Sequence, residues 1–231
     1  MDIPITRPDK FDTQYDLNDL TETYASMIRE IQDSDPGRTF IYGTISRYDQ
    51  NAILLDIGCG SGMDIEEYSR MGFANLYGID PSEWFIQIAK KNLGEKGVFQ
   101  VWTFENSGFK DNSVDIITSK FSLHYVKDLE KTFMEVWRIL KKWGKFVFIV
   151  SHPAFDENER KDQNGNVTAS LFNGKVPIVF PLHTLEDYVG RSVQLKFKIL
   201  NRNEYIWAER DISNDGLKGI PTALCIEAEK I

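Results

Sequence analysis

Residues 52–62 read Ala-Ile-Leu-Leu-Asp-Ile-Gly-Cys-Gly-Ser-Gly. Ala52 to Ile57 is a short apolar run of the kind that forms a buried parallel strand, broken only by the carboxylate of Asp56. Beyond it glycine takes every second position, at Gly58, Gly60 and Gly62, where the missing Cβ atoms let the chain turn tightly and let a ligand touch the backbone. An amphipathic helix is expected from about Met63 to Met71, then a strand over Asn75 to Ile79 that ends in Asp80. Asp80 lies eighteen residues past Gly62, near the offset at which α/β nucleotide sites place a ribose-binding carboxylate. Strand, glycine turn, helix, strand and acid make one βαβ unit.

The alternation continues outward. A helix is expected over 82–93, with Ser82 placed to cap it, followed by strands over 98–102 and 114–119. A further helix over 128–140 carries Leu129, Phe133, Val136 and Leu140 on one face, with Asp128 near its start and Lys141-Lys142 at its end, as the macrodipole prefers. The apolar strand Phe146 to Val150 comes next. Residues 153–183 break the pattern: Val167–Phe172 and Lys175–Phe180 flank Asn173-Gly174, a strong hairpin signal. A helix over 184–190, a strand over 193–200, a loop at Asn214-Asp215-Gly216 and a strand over 221–229 follow, while residues 17–48 are mainly helical with a break at Asp33 to Gly37. The fold expected is α/β: a doubly wound, mostly parallel, seven-stranded Rossmann-like sheet with helices on both faces and an inserted β-hairpin. As one domain over 1–231, it divides into a helical cap (1–48), a nucleotide-binding core (52–152), a hairpin lid (153–183) and the rest of the sheet (184–231).

Composition narrows the function classes. The chain has 231 residues, 42% of them hydrophobic, enough for a domain with a real core. With 35 acidic and 27 basic residues the net charge is −8, and no basic run offsets it, so a nucleic-acid backbone is an unfavourable partner. The first ten residues hold no apolar signal core and no apolar run is long enough to span a bilayer, so a cytoplasmic protein is expected. Cys59 and Cys225 read as reduced thiols, too few for a metal site, and no metal is expected.

The residues between the glycines discriminate the nucleotide-binding families. A dinucleotide fold uses G-x-G-x-x-G, but the position for its third glycine is Met63, and Asp56 would repel a pyrophosphate while suiting an ammonium or sulfonium charge. The stretch Leu-Leu-Asp-Ile-Gly-Cys-Gly-Ser-Gly resembles motif I of the class I S-adenosylmethionine-dependent methyltransferases. Over residues 50–155 the chain is similar to their broad type 11 small-molecule subgroup. Tyr77-Gly78-Ile79-Asp80-Pro81-Ser82 looks like motif II, Asp111 to Ile117 like the approach to motif IV, and Leu123-His124-Tyr125-Val126 like the loop beyond it.

That resemblance implies a methyltransferase whose cofactor is S-adenosylmethionine, with S-adenosylhomocysteine as product. Gly58, Cys59, Gly60 and Gly62 would present backbone to the methionine portion, Asp56 would meet its ammonium group, and Asp80, with Pro81 beside it, the ribose hydroxyls. The family's acidic adenine contact aligns with Thr103, so either Thr103 or Glu105 takes the amine, or Phe104 and backbone groups hold the adenine. Arg38 and Lys120 complete the cofactor set, Arg38 as a partner for the cofactor carboxylate or as a solvated helix residue. His124 and His152 follow the fourth and fifth strands, on the ligand-binding edge, and are the catalytic candidates. Other readings stay open: an RNA or protein methyltransferase, a cofactor-binding protein without transferase activity, and an NAD-linked oxidoreductase. The partner expected is a small-molecule substrate, without membrane; the hairpin also offers a surface for a homodimer.

Overall fold

The computed structural model describes residues 36–159, 161–171, 176–206 and 219–231. Most of the helical cap expected over 1–48, the part before Pro36, lies outside them, as do Asn173-Gly174 and Asn214-Asp215-Gly216.

Helix α1 (Pro36–Ile45) opens on proline, whose fixed φ and missing N–H suit a first helical position; the Pro36-Gly37 break read in the sequence is thus a helix start. Strand β1 (Ile53–Ile57) runs through the glycine turn into α2 (Met63–Arg70), then β2 (Asn75–Asp80), α3 (Glu83–Leu93) and β3 (Val98–Val101). The Ser82 hydroxyl accepts from the Phe85 N–H and caps α3 as expected. Strand β4 (Val114–Lys120), a 3-10 turn at Leu123–Tyr125, α4 (Leu129–Ile139) and β5 (Leu140–Ser151) follow, with the Asp128 carboxylate capping α4 through the Lys131 N–H. Then come α5 (Pro153–Glu159), β6 (Asn166–Leu171), β7 (Val176–Pro181), α6 (Leu185–Val189), α7 (Arg191–Gln194), β8 (Phe197–Tyr205) and β9 (Ala223–Lys230).

Seven strands form one sheet in the order β3-β2-β1-β4-β5-β9-β8. The first five in space are parallel; β9 runs antiparallel to both β5 and β8. The order reverses beside β1, so the carboxyl ends of β1 and β4 flank the crevice where open α/β sheets bind ligands. Alternate residues of each central strand feed two cores. Leu54, Ile116, Val147 and Cys225 pack under α1, α2 and α3, while Leu55, Ile117, Phe148 and Leu224 pack with Phe133 and Val136 of α4 on the other face. Each fully buried aliphatic or Phe side chain contributes roughly 1.5–3 kcal/mol of transfer free energy. Strands β6 and β7 pair antiparallel from Asn166↔Pro181 to Leu171↔Val176, in a two-stranded sheet apart from the main one.

Three boundaries differ from the sequence reading. Strand β5 starts at Leu140, because Leu140 leaves the helix at ψ 138° and pairs with Val114. The next partners are Ile116↔Lys145, so Lys141 to Gly144 form an irregular bulge within β5, with Trp143 at φ +66°. Lys141 therefore does not end α4; its Nζ donates to Asp115 at 2.8 Å, and Arg138 is the basic residue of the last helical turn. Strand β8 lies four or five residues later than the 193–200 expected, its Asn201-Arg202-Asn203-Glu204 run hiding an edge strand with one neighbour. The polar start of the insertion is helical, because the Ser151 hydroxyl donates to the buried Asp156 carboxylate at 2.7 Å and ties α5 to the end of β5.

Candidate functional site

The glycine turn is built from backbone hydrogen bonds that a side chain would break. The N–H groups of Gly58 and Cys59 both donate to Ile79 O, at 2.8 and 3.0 Å, and that of Gly62 to Cys59 O at 2.9 Å. At Gly58, φ is +75°, and a Cβ would lie 2.2 Å from Ser122 Oγ and 3.2 Å from Phe104 Cζ. Ser122 is held there by its single hydroxyl proton, which the carbonyls of Lys120 at 3.0 Å and Gly58 at 3.2 Å share. Gly60 is the opposite case: φ is +51° and a Cβ would meet nothing within 4 Å. The loop thus turns its tight side to β4 and leaves backbone at Gly60 facing open space, which is the shape of a ligand cradle.

Asp80 closes that cradle from the end of β2. Its Oδ2 accepts from the Gly60 N–H at 2.9 Å and its Oδ1 from the Ser82 N–H at 2.9 Å. Each carboxylate oxygen carries two lone pairs, so one acid can serve two donors at once. Pro81 follows, half-buried. Beyond β3, the Trp102 N–H donates to Asp80 O, Thr103 bridges to Asn106, Phe104 is buried against the glycine turn, and Glu105 is exposed.

Beneath the loop lies a buried polar group that the sequence reading saw only in part. Asp56 is 3% exposed and accepts from the Thr118 hydroxyl at 2.8 Å. Asp64, in the first turn of α2, accepts from Tyr42 OH at 2.6 Å and Arg38 Nε at 3.0 Å, with Lys120 Nζ 3.7 Å from its other oxygen. Arg38 is 4% exposed, so it is a paired interior cation and not a solvated helix residue. The two carboxylates divide one charge problem. Burial raises the pKa of Asp64, but Lys120, Arg38 and Tyr42 outweigh it and hold the group below the ordinary carboxylate range. Burial and then the Asp64 charge push Asp56 well above that range. Asp64 was missed because an acid in a first helical turn looks like macrodipole complement; Arg38 and Tyr42, one helical turn apart on α1, were the available signal.

The histidines sit where the strand ends predicted, with distinct settings. His124 is 5% exposed, and its ring centroid lies 4.2 Å from Tyr125 and 4.6 Å from Phe180 of β7. The hairpin therefore packs onto the turn beyond β4. His152 is equally buried; its Nδ1 accepts from the Ala154 N–H at 3.2 Å, which places the proton of the neutral ring on Nε2, 3.6 Å from Glu204. Burial lowers its pKa, against the nearby Glu204 charge. As a neutral Nε2–H it is a hydrogen-bond donor, not a base. His183 Nε2 lies 2.8 Å from Val126 O and serves the hairpin's footing.

The fold is that of a nucleotide-binding α/β protein, with the candidate site at the carboxyl ends of β1 and β4. The sequence profile of the methyltransferase-domain family matches residues 55–148. Over those residues the chain is similar to the class I S-adenosylmethionine-dependent methyltransferases of the type 11 kind. It is 34% identical over 112 residues to an uncharacterized methyltransferase of Bacillus subtilis, YcgJ, a match covering 45% of this chain and 44% of that protein. It is 33% identical over 103 residues to malonyl-[acyl-carrier protein] O-methyltransferase 2 of Coxiella burnetii, covering 44% and 42%. The match thus spans less than half the length of either relative. A crystal structure from Listeria monocytogenes, assigned as an S-adenosylmethionine-dependent methyltransferase, superposes with a TM-score of 0.68 at 21% identity, over 85% of this chain and 97% of that one. Among the described residues no helix is long and apolar enough to cross a membrane.

Proposed function

We propose that this chain transfers a methyl group from S-adenosylmethionine to a small-molecule nucleophile. One observation carries the reading: the backbone at Gly60 opens onto free space while its N–H is fixed to the carboxylate of Asp80, so cradle and acid are preassembled as one unit. The residues fit a ligand that is nucleoside at one end and zwitterion at the other. Asp80, with Pro81 beside it, would take the ribose hydroxyls, and Phe104 with Thr103 would border the base. The backbone of Gly58, Cys59 and Gly60 would lie along the methionine portion, with Asp56 for its ammonium group and Arg38 and Lys120 for its carboxylate. Bound there, the cofactor supplies an electrophilic methyl on a good leaving group.

The chain's own contribution is then positioning and exclusion of water. The β6–β7 hairpin, with Phe180 against His124 and Tyr125, would serve as a lid over the acceptor, its turn residues being outside the described part. His152 would donate its Nε2–H to an acceptor oxygen and so orient it. A small acceptor is supported by the acidic balance of the chain and by the Coxiella relative, whose name specifies O-methylation of a carrier-bound malonyl group. Calorimetry with S-adenosylmethionine, S-adenosylhomocysteine and NAD tests the cofactor assignment, and release of S-adenosylhomocysteine over an acceptor panel tests the transfer. Binding of the first two ligands and not of NAD is expected. NAD binding alone overturns the reading, and cofactor binding with no turnover on any small molecule favours a binding protein or a macromolecular acceptor.

A further inference from the structure

The geometry points to Asp64 as the positioning residue for the amino-acid end of the cofactor site: it holds α1, and with it Arg38, in place as the wall that receives the ligand's carboxylate. This inference rests on the cofactor reading above. Asp64 belongs neither to the glycine turn nor to the ribose position, yet α1, α2 and β4 meet on its carboxylate through Tyr42, Arg38 and Lys120. Arg38 and Tyr42, four residues apart, project from one face of α1.

Charge decides what this arrangement is for. Arg38 is 4% exposed and Lys120 12%, and cations that deep persist only with a counter-charge. Asp64 supplies it and stays ionised in doing so. Asp56, under the same loop, instead takes the high pKa of the pair. The group therefore presents two cations organised by one carboxylate and a second carboxylate that a ligand's own cation would ionise. That is the complement of an α-amino-acid zwitterion. The nucleoside end of the site, at Asp80, Thr103 and Phe104, lies outside the hydrogen bonds and ion pair that meet on Asp64. Asp64 should thus govern affinity for the tail and leave affinity for the nucleoside alone.

Two ligands separate these ends: S-adenosylhomocysteine, with the amino-acid tail, and 5′-methylthioadenosine, the same nucleoside thioether without it. Calorimetry on the wild-type chain, Asp64→Asn and the milder Tyr42→Phe gives the test. Asp64→Asn removes the charged carboxylate on which Arg38, Tyr42 and Lys120 converge, so α1 loses its anchor to α2 and β4. Affinity for S-adenosylhomocysteine should fall at least tenfold, while that for 5′-methylthioadenosine stays within twofold. Tyr42→Phe, which keeps every charge, should lower the first affinity roughly threefold and spare the second. A merely structural role would weaken both ligands together. Equal losses, no change, or tighter S-adenosylhomocysteine binding in Asp64→Asn overturn the inference. Failure of the wild-type chain to bind either ligand overturns the cofactor reading itself, and the role of Asp64 with it.

Discussion

Gly58→Ala and Gly60→Ala are the same chemical change two residues apart, and the structure separates their effects. Both glycines have positive φ, +75° and +51°, a conformation that costs an L-residue roughly 1–2 kcal/mol. At Gly60 that is the whole cost, since the added methyl meets nothing within 4 Å. At Gly58 the methyl would lie 2.2 Å from Ser122 Oγ and 2.3 Å from Ser122 Cβ. Ser122 is anchored by two backbone carbonyls, so relieving the overlap adds about 1–3 kcal/mol of overpacking. The sum for Gly58→Ala is roughly 2–5 kcal/mol, which at about 2–4 °C per kcal/mol for a chain of this size lowers Tm by roughly 4–20 °C. Gly60→Ala should cost only the roughly 1–2 kcal/mol of the backbone, about 2–8 °C, yet bind S-adenosylhomocysteine at least tenfold more weakly because its methyl occupies the cradle. Thermal melts and calorimetry on both variants, with Gly58→Ala/Ser122→Gly closing a double-mutant cycle, read the two effects separately. Equal melting temperatures for the two single variants, or no coupling between positions 58 and 122, would refute the steric account. Unchanged affinity in Gly60→Ala would refute the cradle.

Asp80→Asn keeps one acceptor for the loop but loses the charge; hydrogen bonds to charged groups contribute about 1.5–3 kcal/mol, so cofactor affinity should drop roughly tenfold to a hundredfold by calorimetry, and an unchanged value removes Asp80 from the ribose role. Burial lowers the pKa of His152 and of His183, so below about pH 6.5 the unfolded chain binds protons that the folded chain refuses, and stability should fall with pH until the folded rings titrate. Urea midpoints at pH 7.5 and 5.5 should differ less in His152→Asn/His183→Asn than in the wild type, and an identical difference counts against these two rings as the source. Phe180→Ala should leave S-adenosylhomocysteine affinity within twofold while cutting kcat/KM for the acceptor more than tenfold in steady-state assays; lost cofactor binding would place the hairpin in the cofactor site instead of over the acceptor.

The first half of the sheet was legible because its signals are local. Glycines at alternate positions, an acid at the right offset and a cap at Ser82 each impose one backbone geometry, and the strands and helices from β1 to β4 lie within a residue or two of their expected bounds. The start of β5 was not legible: Lys141-Lys142 obeys the rule for a helix end, but its partner Asp115 is 26 residues away, and no local pattern reports it. Strand β8 was misplaced because an edge strand is free to be polar along most of its length. In the site, Gly58, Gly60 and Asp80 were readable for the same local reason. Asp64 was not, since its meaning depends on two side chains from α1 and one from β4. The setting of His152 likewise required the Ala154 N–H and Glu204, which reach it only in the folded chain.

The reversed polarity of β9 has a consequence for how the molecule is made. Among the described residues its neighbours are β5 and β8, and β8 pairs with β9 alone. During synthesis the chain therefore carries β8 as a strand without a berth until residues 223–230 emerge, while β1 to β5 already have their partners in hand. Completion of the sheet waits on a contact between residue 145 and residue 229, a long loop to close and one that slows folding. Until then the apolar flank of β5, from Phe146 to Val150, is open to any passing strand. The interval between finishing β5 and inserting β9 is when that flank stands uncovered, and substitutions at Leu224 or Ile226, which pair with Val150 and Phe148, would lengthen it without touching the site.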